Sequence, residues 1–470
     1  MTNTTIRRVQ HTGVIGVQWG DEGKGKVVDM LAQQADIVIR PAGGGNAGHT
    51  VAHGKEEFVL HLIPCGILHN KQNVIGNGCV VDLDGLVSEH TELNKRGKPV
   101  SPENLKISDR AHITTPYLLF LDLAEELAKG KDAVGTTLKG IGPTYQMKIA
   151  RTGMRLIDFV EGNNINKKLD RIEQFVLGRV QILGLKTDEI HAAMYKNEQN
   201  KKMTAGLQPY VSAEGINKKL VMESLLRHKE FVTPFVTDTS YWLSEQVKKG
   251  KRLMFEGAQG TFLDIDHGTY PRVTSSNTTI GGFYTGSGIY VDIQNRLGVM
   301  KAYTTRVGNG EFPTEQAEPD PEKPGETRPN EIGARMQQLG REFGATTGRP
   351  RRCGWLDLVM GKYAVRVNGL NQLALTKLDI LDSEKDIQVC VAYEVDGHQT
   401  DVFPSSEAAL ARAKPVYQTL PGWMSDTSKV RKFEDLPENA RNFTVFVEQY
   451  LETPIKYISI GKERDQVIVR

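Results

Sequence analysis

Seven residues near the start of the chain, Gly20-Asp21-Glu22-Gly23-Lys24-Gly25-Lys26, have the spacing of a loop that grips phosphate. Glycines let successive backbone N–H groups close around an anion, and lysines with a following helix N-terminus add positive potential. The spacing is GxxxxGK, but Val27 stands where an ordinary P-loop has the Ser or Thr that binds magnesium. Asp21 is an odd choice for a pure anion cradle, because a carboxylate repels phosphate. It makes sense as a metal ligand or a general base. The plain alternative is a glycine-rich turn with solvated lysines; the apolar run before it and the helical pattern after it favour phosphate.

A second glycine run, Gly43-Gly44-Gly45-Asn46-Ala47-Gly48, matches the dinucleotide pattern GxGxxG. His49-Thr50-Val51 after it reads as strand instead of helix, and no acid stands near position 68 for a ribose, so NAD is not expected. His49, His53 and His61 lack a cysteine or acid to complete four metal ligands. His49 alone reads equally as a satisfied structural histidine.

The elements that must position these residues are short and apolar. Residues 14–17, 36–40, 58–63, 252–255, 299–304, 373–376 and 457–460 read as strands; 299–304 and 373–376 end in Thr, and a Gly follows 457–460. Val27, Val28 and Leu31 are spaced for one buried helix face, and Thr115-Pro116 through Gly130 has an oxygen cap, a first-turn proline and a terminal glycine. Strands alternating with helices predict an α/β fold with a large, mostly parallel central sheet flanked by helices and ligands at the strand ends. The expectation is a single large domain over 1–470, with excursions near 185–215, 311–330 and 404–436, the second a proline-rich surface loop.

Composition narrows the function. The 59 Lys and Arg nearly balance the 57 Asp and Glu, which leaves no large basic surface for nucleic acid. Four cysteines, none in a CxxC pair, suggest reduced thiols and a cytoplasmic protein. Neither a signal peptide nor a membrane helix is expected. Glycine is in excess, 47 of 470 residues.

The motifs taken together, in order along the chain, resemble the adenylosuccinate synthetase family. They are Trp19 to Lys26, Gly44 to Thr50, Gly135-Thr136-Thr137 with Gly140-Ile141-Gly142-Pro143, Phe255 to Gly260, Val273 to Thr279, Thr346 to Arg352, and Thr376-Lys377-Leu378-Asp379. The resemblance implies a GTP-dependent ligase that makes adenylosuccinate from IMP and L-aspartate through 6-phosphoryl-IMP, with Mg²⁺, in the first committed step of AMP synthesis. It implies Asp21 as base and His49 as acid, with Lys24 and Gln259 in the catalytic set, and Mg²⁺ on Asp21 and the Gly48 carbonyl.

For GTP it implies Gly20 to Lys26, Gly48, His49, Thr50, Arg351, Lys377, Leu378, Asp379, Ser459, Ile460 and Gly461. An Asp at position 379 would accept from guanine N1–H and the 2-amino group, a donor pair that adenine lacks. For IMP the set is Asp21, Lys24, Asn46, Ala47, Gly48, His49, Thr137, Arg151, Gln259, Thr274 and Arg349, with Arg151 reaching the neighbouring subunit of a homodimer. Lys139, Ala345, Thr346, Thr347, Gly348, Arg349 and Arg351 are implied for aspartate, whose carboxylates suit paired guanidinium forks. Two positions depart from the family: Lys139 replaces a more usual arginine, and Glu311 a usual proline. A GTP-hydrolysing switch is the rival reading; it would carry Ser or Thr at position 27.

Overall fold

Alternation along short apolar strands builds two cores around one sheet. Val14, Val38 and Ala374 fall in one buried cluster, while their neighbours Ile15, Ile37, Ile39, Leu373 and Leu375 fall in another. Successive side chains of a strand point to opposite faces, so a strand buried on both must be apolar throughout. A computed structural model describes residues 9–53, 56–130, 136–323, 326–344 and 348–470.

The central sheet has 11 strands. Its order is Val236–Thr237, Leu105–Ser108, Gln72–Asp82, Ile37–Gly43, Leu253–Glu256, Thr12–Gly16, Asn295–Lys301, Gln372–Thr376, Ile455–Ser459 and Val467–Val469, with His112–Thr114 on the far end of Gln72–Asp82. Every pairing is parallel except the last, where Val467–Val469 returns antiparallel. The parallel strands therefore end along one edge, and the loops that leave them share that edge. Helices cover both faces. Pro116–Lys129, Ile165–Ile182 and Lys218–Val232 pack on one; Leu358–Asn368 and Glu438–Leu451 pack on the other.

Three segments differ from the sequence expectation. The apolar stretch 58–63 is strand only as Glu56–Leu60, paired with His49–His53 in a separate hairpin; Leu62 and Ile63 bury without joining a ladder. The stretch 299–304 breaks at Lys301 and resumes as Thr304–Arg306, which pairs with Arg352–Gly354 outside the main sheet. Within 311–330, Ala317–Pro319 and Thr327–Pro329 form a short antiparallel pair on the surface.

Residues 185–215 carry the helices Thr187–Met194 and Glu198–Met203, whose Ile190 and Met194 are wholly buried. Within 404–436, Lys414–Pro421 pairs with Asp386–Val395 in a four-stranded sheet.

Candidate active site

The strand ends enclose a cavity of about 1110 Å³. That is more than one drug-sized ligand needs, and room for several substrates together. Its wall includes Gly20, Asp21, Gly23, Lys24, Gly25, Lys26, Asn46, Ala47, Gly48, His49, Thr50, Thr137, Gln259, Thr274, Arg351, Lys377, Ser459 and Gly461. Residues more than four hundred positions apart thus meet on one surface.

The glycine-rich loop is braced from inside. Glu22 is fully buried; its carboxylate accepts from the backbone N–H of Gln18 at 3.0 Å and of Gly20 at 2.9 Å, and pairs with Lys24 Nζ at 2.5 Å. The acid is off the cavity wall, where it would repel phosphate, and acts as an internal clamp. Gly23 caps the helix Lys24–Ala32 with φ of 85°, which a side chain would disfavour, and a Cβ on Gly25 would lie 2.7 Å from the Thr50 carbonyl oxygen. Asp21 holds a left-handed φ of 60° without being glycine, as do Gln259 at 54° and Lys377 at 58°. Such conformations cost energy and gather where function over-determines the backbone.

Asp21 reaches the cavity paired with Arg351 at 2.9 Å. Arg351 also pairs with Glu342 at 2.7 Å. Glu342 is wholly buried and accepts from Lys301 at 2.9 Å, Lys377 at 2.6 Å and the Tyr303 hydroxyl at 2.5 Å. Burial would push its carboxyl up, but Lys301, Lys377 and Arg351 hold it far below the usual range. Burial in turn pulls Lys301 down to about 8.

His49 is fixed from behind. Its Nδ1 lies 2.5 Å from Glu256, whose carboxylate also pairs with Arg40 at 2.5 Å and accepts from the Cys65 N–H at 2.8 Å. Against the cost of burial, Arg40 and His49 bring Glu256 down to about 2, so it stays ionised. Nδ1 must then be the donating nitrogen, which leaves Nε2 for the cavity. Burial and the Arg40 charge lower the His49 pKa, so the ring is neutral near pH 7. His49, Cys65 and Glu256 also group their ligand atoms within 4.8 Å, but the Arg40 cation already holds that carboxylate, and burial pushes the Cys65 thiol well up. His61 Nδ1–H donates to the Ala47 carbonyl instead of approaching His49. The side chain of His53 lies outside the described residues.

At the far end, Asp379 follows the strand Gln372–Thr376 and has a buried carboxylate oxygen with no protein partner. Burial pushes this carboxyl up to about 6. Lys26 lines the cavity but its Nζ donates to Ser459 Oγ at 2.9 Å and to the carbonyls of Gly461 at 2.8 Å and Gln466 at 3.0 Å. The loop lysine therefore pins the last strand's turn to the phosphate loop, and burial lowers its pKa to about 8. Both the oxygen and the nitrogen of the Gln259 amide are buried on the wall without a protein partner.

Several expected site residues lie off this wall. Leu378 and Ile460 are buried, and Asp379, Lys139, Arg151, Gly348 and Arg349 do not line it. Lys139 is an electrostatic neighbour of half-buried Asp82. Arg151 is exposed, with φ of 63°, just past the helix Ile141–Ile149. Ala345, Thr346, Thr347 and Gly135 lie outside the described residues. From sequence, Glu256, Arg40, Glu342 and Lys301 carry no expected site role. Their one local signal was a charged residue closing an apolar strand, as in Leu253-Met254-Phe255-Glu256 and Ile37-Val38-Ile39-Arg40.

Residues 13–468 match the family model described as adenylosuccinate synthetase. An adenylosuccinate synthetase of Microcystis aeruginosa is 45% identical over 458 residues, 97% of this chain and 93% of that one. One from Desulfatibacillum aliphaticivorans is 45% identical over 457 residues, 97% of each. The solved structure of fully ligated adenylosuccinate synthetase from Plasmodium falciparum superposes with a TM-score of 0.83 at 33% identity, covering 98% of this chain and 100% of that one.

Proposed function

The chain belongs to the adenylosuccinate synthetase family and is a GTP-dependent ligase of IMP and L-aspartate; from that premise, we propose that Asp21 takes the N1 proton of IMP while His49 steadies the phosphoryl group passing from GTP to O6. Hydroxide is a poor leaving group, so the purine oxygen must be phosphorylated before an amine can replace it. The lactam becomes nucleophilic at O6 when its N1 proton is removed, and a carboxylate on the phosphate loop is placed to remove it. The aspartate amine then attacks C6 and phosphate departs. One observation carries this reading: Asp21, His49 and the unpartnered amide of Gln259 share one cavity with the phosphate loop.

His49 enters with Nε2 unprotonated. An arriving γ-phosphate brings negative charge that favours the imidazolium, which Glu256 stabilises from behind, and Nε2–H then donates to the phosphoryl oxygens. Lys24 adds positive charge beneath them. The oxygens of Asp21 and of the Gly48 carbonyl suit Mg²⁺, a hard cation that keeps several waters and takes one or two carboxylates beside substrate phosphates. Bound there, Mg²⁺ would neutralise charge on the transferring phosphoryl group.

Asp379 reads guanine and Lys377 lies over the base; Asn46, Thr137, Gln259 and Thr274 take IMP; Arg349, Arg351 and Lys139 serve aspartate. Arg151 serves a neighbouring subunit's IMP phosphate in a homodimer, which its exposure beside Ile149, 76% exposed, supports. A cytoplasmic setting fits four buried free cysteines. Among the described residues no helix is long and apolar enough to cross a membrane.

The test is one assay with GTP, Mg²⁺, IMP and aspartate, followed by the purine ultraviolet change, with each component omitted in turn. Turnover should require all four, and ATP should replace GTP poorly. GTP hydrolysis indifferent to IMP would sink the reading in favour of a switch. Replacing Asp379 by Asn should lower kcat/KM for GTP by roughly 10- to 100-fold, the worth of a charged hydrogen bond, and an unchanged value would remove Asp379 from the guanine site.

A further inference from the structure

We propose that Glu342 is a positioning residue that couples the guanine end of the cavity to the aspartate loop, by holding Lys377 and Arg351 on a single carboxylate. The proposal rests on the assignment of Lys377 to guanine and of Arg351 to aspartate made above. Three features carry it.

First, the carboxylate is divided between the two ends. Its Oε1 takes Lys377 at 2.6 Å, and its Oε2 takes Arg351 at 2.7 Å. Neither cation can move without changing the field on the other. Second, Glu342 closes the neck of the loop. The Arg351 N–H donates to the Glu342 carbonyl at 2.8 Å, and Gly344 N–H to the Arg349 carbonyl at 2.8 Å, so backbone and side chain both join positions 342 and 351. In the sequence, the aspartate residues assigned at 345–349 fall between these two anchors. Third, the support is rigid. Lys301 and Tyr303, from the strand-end segment beside the phosphate loop, fix Oε1 from below. Glu342, Lys301, Tyr303 and Arg351 are buried and only Lys377 is partly exposed, so the Arg351 pair above all is poorly screened and sensitive to geometry.

The consequence is a shared dependence. Glu342 touches no substrate in this scheme, yet losing its charge frees Lys377 and Arg351 together. Glu342→Gln should raise the KM for GTP and the KM for aspartate, each by roughly tenfold, the loss of one charge-assisted contact. The KM for IMP should change least, because Asn46, Thr137, Gln259 and Thr274 do not meet Glu342. A merely structural carboxylate would lower the melting temperature and active fraction without splitting the three KM values.

Lys301 is itself wholly buried, so Glu342→Gln risks leaving it unpaired and the chain unfolded. The double variant Glu342→Gln with Lys301→Met removes both charges and carries the same expectation for KM. A variant that raises one of the two KM values alone, or neither, overturns the proposal. Failure of the underlying assignment shows elsewhere: Lys377→Met should raise the KM for GTP, and an unmoved GTP value would overturn the guanine assignment and the coupling with it.

Discussion

Replacing Asp21 by asparagine is expected to lower kcat by roughly 10² to 10⁴, the usual worth of a placed proton-transfer group. The amide has nearly the same shape and keeps an oxygen toward Arg351, so the loop need not rearrange. It cannot accept the N1 proton of IMP at neutral pH. It is also a weaker donor to a hard cation, so part of the loss should appear as a raised Mg²⁺ requirement. Stability should barely change, because the side chain is about a third exposed and its one ion pair is partly screened. The measurement is steady-state kcat with thermal melting of the same sample. Near-normal kcat with intact folding would show that another group takes the proton.

Glu256→Gln should damage both folding and turnover. Arg40 is 1% exposed and Glu256 0%, and one carboxylate satisfies Arg40, His49 and the Cys65 N–H at once. Glutamine offers a single acceptor oxygen, and its NH₂ would face a donor. Breaking one half of such a buried pair costs roughly 3–5 kcal/mol, readable as a shift in urea midpoint with an unchanged slope.

The pH dependence fixes the sign. Glu256 titrates near 2 when folded against an ordinary 4.5, so its stabilisation is complete above about 4.5 and fades as pH falls toward 2. The stability gap between wild type and variant should therefore narrow over that interval. His49 acts in the same direction: burial depresses its pKa, so acid below its ordinary 6.5 favours the unfolded chain. Turnover should fall as well, since His49 loses the charge that supports its imidazolium. A variant of wild-type stability and wild-type kcat would mean that Glu256 neither balances Arg40 nor orients His49.

Much of the architecture was legible because it is written locally. A strand buried on both faces must be apolar along its length, and a turn that meets phosphate must be poor in side chains; both leave marks within a few residues. The parallel sheet and the motif order followed from such marks. What stayed hidden depends on distant partners. Arg40 and Glu256 are 216 positions apart, and no local pattern announces that one neutralises the other. Nothing in the residues around Glu342 marks it as the shared partner of Lys377 and Arg351. The inward turn of Glu22 and the reach of Lys26 to Ser459 reverse what a phosphate loop suggests from its composition, because direction is set by the φ and ψ of the turn. The stretch 58–63 misled for a related reason: apolar residues mark burial, and Leu62 and Ile63 are buried without being strand.

The strand order has a consequence for how the protein is made. Thr12–Gly16, which launches the phosphate loop, lies between Leu253–Glu256 and Asn295–Lys301. Neither neighbour exists until more than half of the chain has left the ribosome. At roughly 5–20 residues per second, the first strand waits some tens of seconds with both hydrogen-bonding edges open. The apolar segment that later organises nucleotide chemistry is thus the nascent chain's most persistent exposed edge, and chaperones that shield such edges would find their first client surface there.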